Sequence, residues 1–313
     1  MKRDRVLGGL LGLCIGDALG VPAEFISRSE LKNNPITDMA GYGTHNQPLG
    51  TWSDDSALSF CLAESLCRGF DLQDIGSRMV KWMYEGYWTP YGRVFDVGIT
   101  TEIAISRLRN EIDPLNAGLD DENNNGNGSL MRILPIAFYV EKLDTPQQFE
   151  LTQQISRLTH GHLRAQMACG IYVQLVTRLL KGDRLHLAYK NMKEIVLRYY
   201  SKEPYSSEIH HFDRILRSDI AELPEESIKS GGYVVCTLEA SMWAFLNSNS
   251  YADTVITAVN LGDDTDTTGS VAGGLAGVYY GLGGIPKEWI SKIVKVEEIM
   301  ELGERLFEAI YGI

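Results

Sequence analysis

Apolar side chains recur along most of this chain at steps of three and four residues, which is the period of an amphipathic α-helix. Residues 54–67 show the pattern, and residues 4–13 follow it with Asp4 placed to cap their first turn. The same spacing predicts eight further helices, at 74–84, 101–108, 149–158, 163–180, 192–200, 234–246, 251–261 and 294–310. Alternating strand patterns are nearly absent, and no clear linker divides the sequence. We therefore predict an all-α protein with a single domain over residues 1–313.

Glycine recurs every fourth residue in two segments, at positions 8, 12, 16 and 20 and again at 269, 273, 277 and 281. On a helix each series would form a stripe without side chains. Each glycine costs about 0.5–1 kcal/mol relative to alanine, so close packing has to compensate. The two series predict helices that lie against close neighbours, with each other as candidate partners. The last glycine of each series, Gly20 or Gly281, is predicted to be a C-cap.

The loop at residues 120–128 is the strongest break in the helical pattern, with three asparagines in a row followed by Gly-Asn-Gly. Ser129 follows it as a good N-cap for a helix predicted at 130–139. The loop is either a solvated connection or a turn whose glycines let backbone N–H groups face an anion such as a diphosphate. The sequence alone leaves both interpretations open.

Charge and cysteine content narrow the functional classes. With 41 acidic and 29 basic residues the formal net charge is -12, so nucleic acid is not an expected partner. The five scattered cysteines include no CxxC and suit a reducing compartment. The basic and apolar N-terminus superficially resembles a signal peptide, but Asp4, Asp17 and three glycines argue against that interpretation. We expect a soluble, cytoplasmic protein without a membrane partner.

Two acidic clusters are the candidate chemistry. Ser53-Asp54-Asp55 lies at a predicted helix start. Helix capping accounts well for the presence of one aspartate there, but poorly for the presence of a second. Residues 263–267 hold three carboxylates within four positions, which repel one another unless cations or protons compensate. A calcium EF-hand does not fit, because its twelfth position would be Leu275 instead of glutamate. Carboxylate and hydroxyl oxygens favour hard cations, so two divalent cations, Mg²⁺ or Mn²⁺, are predicted.

The chain carries these clusters within a larger set of motifs: Gly16-Asp17-Ala18-Leu19-Gly20 with Glu24, Trp52-Ser53-Asp54-Asp55, Asn127-Gly128-Ser129-Leu130-Met131-Arg132-Ile133-Leu134-Pro135, Thr159-His160 and Gly262-Asp263-Asp264-Thr265-Asp266-Thr267. In this order and spacing they resemble the ADP-ribosylglycohydrolase family, which includes the dinitrogenase reductase-activating glycohydrolases. The resemblance runs from about residue 5 to residue 281. It implies a compact, orthogonal all-α bundle with a binuclear Mg²⁺ or Mn²⁺ site that grips a ribose diol.

The resemblance also implies roles for particular residues. Metal ligands would be Ser53, Asp54, Asp55, Asp264, Asp266 and Thr267. Catalysis would involve Asp54, Asp55 and Asp264, with Glu24 or Asp96 as the acid/base. Asp96 lies in Phe95-Asp96-Val97-Gly98, which is similar to a cleft-lining segment of the nitrogenase-regulating branch. Asn127, Gly128 and Ser129 would hold the diphosphate. His160, which matches the Thr159-His160 motif, is expected either to cap a helix or to form a wall of the ligand site.

Two departures from the family pattern matter. Ser53 replaces the commoner threonine and keeps its oxygen, whereas Asp263 stands where many members have glycine. An aspartate at that position would alter either the local geometry or the charge of the site.

The resemblance implies hydrolysis of the bond between ADP-ribose and an acceptor. The substrate would be an ADP-ribosylated protein, with arginine as a candidate side chain, or a small ADP-ribosyl molecule. A phosphoester hydrolase is a rival, which release of phosphate without ADP-ribose would favour. A non-catalytic ADP-ribose-binding protein is a second rival, and the complete ligand set argues against it.

Overall fold

The computed structural model describes residues 1–312, and the secondary structure of this part is helical with no β-strand. The predicted all-α class is confirmed. The α-helices are α1 (Lys2–Gly20), α2 (Arg28–Asn33), α3 (Asp54–Leu66), α4 (Leu72–Glu85), α5 (Ile99–Arg109), α6 (Pro114–Ala117), α7 (Leu134–Val140), α8 (Thr145–Arg157), α9 (Leu163–Leu180), α10 (Leu185–Tyr200), α11 (Asp213–Leu216), α12 (Val234–Leu246), α13 (Tyr251–Val259), α14 (Thr265–Tyr280), α15 (Lys287–Lys292) and α16 (Val296–Tyr311).

Every helix predicted from periodicity outside the 120–139 region is present, and α9 and α12 have the predicted bounds. Helix α8 begins four residues before the predicted start at 149, because Asp144 caps it and accepts a hydrogen bond from the Gln147 N–H at 2.9 Å. The first turn of α8 is polar and therefore does not show the apolar spacing from which helices are predicted. This spacing locates the buried face of a helix better than it locates the first residue.

Two predicted N-caps are wrong. Helix α1 begins at Lys2, so Asp4 lies within its first turn instead of capping it. Ser129 is not a cap either, because residues 129–132 form turns and α7 begins only at Leu134. A helix from 130 would place Pro135 in its interior, where the missing N–H removes a hydrogen bond; starting at Leu134 keeps this proline in the first turn.

Helices α1 and α14 pack against each other through their glycine stripes, as the repeat predicts. A Cβ atom added at Gly12 would lie 2.6 Å from the carbonyl oxygen of Gly273, and one added at Gly16 would lie 2.0 Å from that of Gly269. The two backbones therefore approach closely enough to exclude even a methyl group between them. Gly281 ends α14 with φ +72, whereas the C-cap prediction for Gly20 is wrong: Gly20 is the last residue of α1, in right-handed conformation.

Helix α1 is the centre of the core. The segment Lys2–Ala23 is long enough, and over an 18-residue window apolar enough, to cross a membrane, but that whole window is buried inside the protein. A contiguous cluster of buried apolar side chains extends around this helix, from Val6 near one end of the chain to Phe307 near the other. The helix that resembled a signal peptide is thus a core helix of the fold.

The approach of α1 and α14 fixes where α14 begins. A Cβ atom at Gly20 would lie 2.3 Å from Cα of Asp266, and the Thr265 hydroxyl donates a hydrogen bond to the Gly20 carbonyl oxygen at 2.8 Å. The first turn of α14, which carries the second acidic cluster, is consequently held against the end of α1.

We predict that Gly273→Ala destabilises the protein by about 1–3 kcal/mol, because the added methyl group overpacks a well-packed interface. Its Cβ would lie 2.3 Å from the Gly12 carbonyl oxygen. Gly283→Ala is the matched control, since a Cβ at Gly283 meets nothing within 4 Å. Urea unfolding measures both variants, and equal stability of the two would contradict the close approach of α1 and α14.

Candidate metal centre and ligand cleft

The first acidic cluster lies at the beginning of α3. Ser53 is the N-cap, and its hydroxyl oxygen accepts a hydrogen bond from the Asp55 N–H at 3.3 Å. Asp17 of α1 supports this turn from below by accepting hydrogen bonds from the N–H groups of Ser53 at 3.0 Å and Ser56 at 3.1 Å. Burial raises the pKa of Asp17 to about 7, against the lowering effect of these hydrogen bonds. Asp17 thus connects α1 to the first turn of α3.

The second acidic cluster lies at the beginning of α14 and meets the first. Thr267 and Ser53 both donate hydrogen bonds to Oδ2 of Asp55, each at 3.3 Å, although 212 residues separate Asp55 from Thr267. Asp264 occupies the N-cap position of α14, and Asp266 lies in its first turn. Two segments that are far apart in sequence therefore present their carboxylates to one buried volume.

Carboxylate oxygens in this volume lack hydrogen-bond partners. Oδ1 of Asp55, Oδ1 of Asp264 and Oδ2 of Asp266 are buried, and none has a partner among residues 1–312. Burial, followed by repulsion from neighbouring carboxylates, raises the pKa values of Asp54, Asp55 and Asp266 well above the ordinary range. The pKa of Asp264 is also raised by burial. A buried carboxylate without a partner is costly, and it requires either a proton or a cation.

The donor set fits divalent metal ions. Oxygen atoms of Glu24, Asp264 and Asp266 all lie within 4.8 Å of one another. Together with Asp54, Asp55 and the hydroxyls of Ser53 and Thr267, the volume offers carboxylate and alcohol oxygens, which are the ligands that Mg²⁺ and Mn²⁺ favour. The structure thus brings together all six ligands predicted from the sequence, and the orphaned oxygens are the atoms that cations would satisfy.

A second group of side chains lies at the edge of the carboxylate cluster. Glu24 and the His45 ring are hydrogen-bonded, and their side-chain ligand atoms and those of Asp96 lie within 4.8 Å of one another. Burial raises the pKa values of Glu24 and Asp96, and the hydrogen bond to Glu24 raises that of His45. Asp96 has left-handed backbone geometry with φ +52. Sequence reasoning missed His45, because nothing in the chain around it marks a site and its partner is 21 residues away.

These groups face a cleft of about 330 Å³. The lining residues are Glu24, Phe25, Asp54, Asp96, Gly98, Ile99, Thr100, Thr101, Gly126, Asn127, Gly128, Met131, His160, Gly232, Asp264 and Thr267. A larger groove of about 770 Å³ lies beside it and shares Gly232, but the predicted metal ligands do not line it. The smaller cleft is therefore the one in which a ligand meets the carboxylates.

The loop predicted either to connect or to bind an anion forms one wall of this cleft. We call residues 126–128 the cleft turn. Its backbone is held by hydrogen bonds from the Asn127 N–H to the Gly232 carbonyl oxygen at 3.0 Å and from the Val234 N–H to the Asn125 carbonyl oxygen at 3.0 Å. Gly126 and Gly128 therefore present backbone, without side chains, to the cleft, a geometry that admits an anionic ligand close to the main chain.

The side chains of Asn127 and Ser129, two residues predicted to bind substrate, contact protein groups in the structure. The Asn127 amide donates to Oδ2 of Asp264 at 2.8 Å and to the Thr237 hydroxyl at 2.9 Å, so it orients a carboxylate of the candidate metal centre. The Ser129 hydroxyl is fully buried, and its oxygen lies 3.0 Å from the Ser156 hydroxyl oxygen. The Ser129 hydroxyl is therefore not exposed to the cleft, and the predicted contact of this turn with a diphosphate would have to be made by its backbone.

The backbone conformation of Asp263 explains why many family members have glycine at this position. Its φ is +62, in the left-handed region that glycine adopts without strain and that aspartate tolerates better than most residues. The Phe25 N–H donates to its carbonyl oxygen at 2.7 Å, and its own N–H donates to the Ile26 carbonyl oxygen at 2.8 Å. The exposed side chain lines the neighbouring groove, so its charge lies outside the carboxylate cluster.

Comparisons with known proteins agree with this architecture. The profile of the ADP-ribosylglycohydrolase family matches residues 1–312. A solved structure described as an ADP-ribosylglycohydrolase-related protein complex superposes with a TM-score of 0.82 at 33% identity, over 98% of each chain.

Two relatives with curated names extend the comparison. ADP-ribosylarginine hydrolase Tri1 of Pseudomonas putida (strain GB-1) is 34% identical, over 97% of this chain and 78% of its own length. The ADP-ribosyl-[dinitrogen reductase] glycohydrolase of Rhodospirillum rubrum is 31% identical, over 94% of this chain and 92% of its own length. With its all-helical fold and two converging acidic clusters, this chain belongs to the ADP-ribosylglycohydrolase family and has the enzyme class of a glycohydrolase.

Proposed function

We propose that this protein removes ADP-ribose from a modified arginine side chain of another protein, with two divalent cations, Mg²⁺ or Mn²⁺, as cofactors. The observation that carries the proposal is the convergence of Ser53-Asp54-Asp55 and residues 264–267 on one buried volume with orphaned carboxylate oxygens. The choice of arginine is supported by two relatives named ADP-ribosylarginine hydrolase, at 34% and 31% identity.

The ribose end of the substrate would lie against the carboxylate cluster. Bound divalent cations would supply charge compensation for the carboxylates and polarise hydroxyl groups of the ribose. Asp55 and Asp266 are almost fully buried, and Asn127 orients Asp264. These residues hold fixed positions before the substrate arrives, which lowers the cost of ordering the site during the reaction.

Proton transfer would involve Glu24 or Asp96, which line the cleft beside the carboxylate cluster. Burial raises the pKa of each carboxyl group, so each is a better proton carrier near neutral pH than an exposed carboxylate. A proton held there would pass to the departing nitrogen of the acceptor as the glycosidic bond breaks. A water molecule would supply the hydroxyl group that the ribose carbon gains, and its other proton would return to the carboxylate. His45 keeps the Glu24 carboxyl group turned toward Asp96 through their hydrogen bond.

The diphosphate would lie over the cleft turn. Backbone at Gly126 and Gly128 is open to the cleft, and the His160 ring lines the same wall. This arrangement would hold the ADP portion while the acceptor protein stays outside the cleft. An anion bound at this distance from the carboxylates also benefits from the cations that would neutralise them.

We predict that Asp55→Asn and Asp264→Asn each remove most hydrolysis of an arginine-ADP-ribosylated protein, and that excess EDTA does the same. The double variant should be barely slower than either single variant, because residues that act as one unit are not additive. The assay measures ADP-ribose released in Mg²⁺ or Mn²⁺, with a serine-ADP-ribosylated protein as the comparison substrate.

Asp263→Asn is the matched control, since this carboxylate lies in the same segment but faces the neighbouring groove. It should keep nearly full activity. Full activity of Asp264→Asn, or full activity in excess EDTA, would overturn the metal proposal. Release of phosphate instead of ADP-ribose would overturn the substrate proposal.

We predict that the metal-free protein loses stability as the pH rises from about 4 to about 8. The folded state raises the pKa values of Asp17, Asp54, Asp55 and Asp266, in the case of Asp17 to about 7. The folded protein therefore binds more protons than the unfolded chain between the ordinary carboxyl pKa and these raised values, and stability falls as those protons are lost.

Thermal melting in EDTA and in Mg²⁺ measures this effect. Magnesium ions should raise the melting temperature most at the upper end of the range, where the carboxylates are charged, because a ligand that binds the folded state stabilises it. Asp266→Asn should flatten the pH dependence in EDTA. If the melting temperature in EDTA does not fall between about pH 4 and about pH 8, the raised carboxyl pKa values in the folded protein are wrong.

A further inference from the structure

Arg132 is a fully buried cation behind the ligand cleft. Its guanidinium donates hydrogen bonds to the Ile155 carbonyl oxygen at 3.2 Å and to the Thr159 hydroxyl oxygen at 2.7 Å. No carboxylate of residues 1–312 forms an ion pair with it. Burial lowers the pKa of Arg132 to about 10, so the group remains protonated at neutral pH. A guanidinium has no acceptor atom, and it can therefore only donate to Thr159.

Thr159 connects this cation to His160. The Thr159 hydroxyl oxygen lies 2.8 Å from Nδ1 of the His160 ring. Because the oxygen already accepts from Arg132, its own hydrogen atom is directed to Nδ1, the other polar atom that it contacts. A hydrogen on Nδ1 would instead leave the buried hydroxyl hydrogen without an acceptor, which is unfavourable. Nδ1 is thus the acceptor of this pair.

The His160 ring consequently carries its proton on Nε2. Burial, and then the charge of Arg132, lowers the pKa of His160 to about 3, so the ring is neutral and holds one proton. Ser156 fixes the backbone: its carbonyl oxygen accepts from the His160 N–H at 2.8 Å, and its hydroxyl donates to the His160 carbonyl oxygen at 3.1 Å. Main chain and ring orientation are therefore both set by buried contacts.

Nε2 of His160 lies on the cleft side of the ring. A Cβ atom added at Gly126 would lie 3.5 Å from Nε2, and one added at Gly128 would lie 2.8 Å from Cε1. Nε2 has no hydrogen-bond partner within the described residues, whereas Nδ1 is satisfied. Among the residues that the structure describes, the cleft lining also includes no lysine and no arginine. The side-chain and backbone donors that this lining offers to an anionic ligand therefore carry no lysine or arginine charge.

We propose that Arg132 and Thr159 are positioning residues that hold neutral His160 in its Nε2–H tautomer, so that the ring donates a hydrogen bond to a phosphate oxygen lying over the cleft turn. The identity of the ligand rests on the proposed function. The donor itself rests on the chain of contacts from Arg132 to the ring. The His160 ring thus gives the cleft a neutral hydrogen-bond donor with a fixed orientation. Because the ring is uncharged, the nearby carboxylates do not attract it.

The tautomer can be read directly by nuclear magnetic resonance of the Mg²⁺-loaded protein labelled with ¹⁵N-histidine. The chain has six histidines, and His160→Gln assigns the His160 signals by their loss. We expect the Nε2–H pattern at His160, unchanged between about pH 6 and pH 8, because a group with a pKa of about 3 does not titrate there. The Nδ1–H pattern, or a doubly protonated ring, would overturn the proposal.

Calorimetry with ADP-ribose tests what the donor does. His160→Leu should weaken binding roughly tenfold, the loss expected for one hydrogen bond, whereas His160→Gln keeps an N–H donor and should retain most of the affinity. Thr159→Val should weaken binding and Thr159→Ser should restore it. Thr177→Val is the matched control, since this buried hydroxyl donates to Val173 within α9 and does not line the cleft.

The outcomes separate this inference from the proposed function. Wild-type affinity in both His160→Leu and Thr159→Val would overturn the inference even if hydrolysis is normal. An Nε2–H tautomer with the predicted affinities, in a protein that releases no ADP-ribose, would overturn the proposed hydrolysis and leave the inference intact. Melting curves identify any variant that is unfolded. If His160→Leu or Thr159→Val is unfolded, the folded His160→Gln and Thr159→Ser variants provide the test. A tenfold or greater loss of ADP-ribose affinity in these two variants would contradict the role of the His160 donor.

Discussion

The close approach of α1 and α14 is the contact on which the rest of this structure depends. A Cβ atom on Gly16 would clash with the carbonyl oxygen of Gly269, and a Cβ atom on Gly269 would clash with that of Gly16. Only glycine at these positions therefore permits the observed distance between the two helices. The end of α1 is thereby pressed against Asp266, and Asp17 within α1 holds the first turn of α3. The glycine stripes therefore bring two helix N-termini, each with its carboxylates, to one place.

This arrangement has an energetic cost that explains the composition of the site. Helix N-termini favour negative charge, and the dipoles of α3 and α14 both point at the cluster. The dipoles do not offset the burial of several carboxylates, whose orphaned oxygens and raised pKa values show residual unfavourable interactions. The cations that we propose would satisfy these oxygens, so we expect the site to be more stable with cations than without them.

The sequence predicts the helical fold well and marks the two acidic clusters that the fold brings together, because both are visible as local patterns. Apolar spacing predicts the bounds of α9 and α12, and the two acidic clusters are visible in the sequence as closely spaced acids at predicted helix starts. The wrong or missing predictions concern residues whose roles are determined by contacts with distant parts of the chain. Ser129 follows the loop as a helix cap would, yet its hydroxyl is held by Ser156. His45 and the contacts of Arg132 have no sequence signature, because their partners are brought together only by the folded chain.

The central claim is that the two acidic clusters form one binuclear metal centre. Titration with Mn²⁺, with free ion counted by electron paramagnetic resonance, tests it without reference to any substrate. We predict two saturable ions per wild-type chain and loss of at least one in Asp266→Asn, whose buried carboxylate has an oxygen without a protein partner. No saturable Mn²⁺ binding, or two ions retained in the Asp55→Asn, Asp266→Asn double variant, would contradict the account.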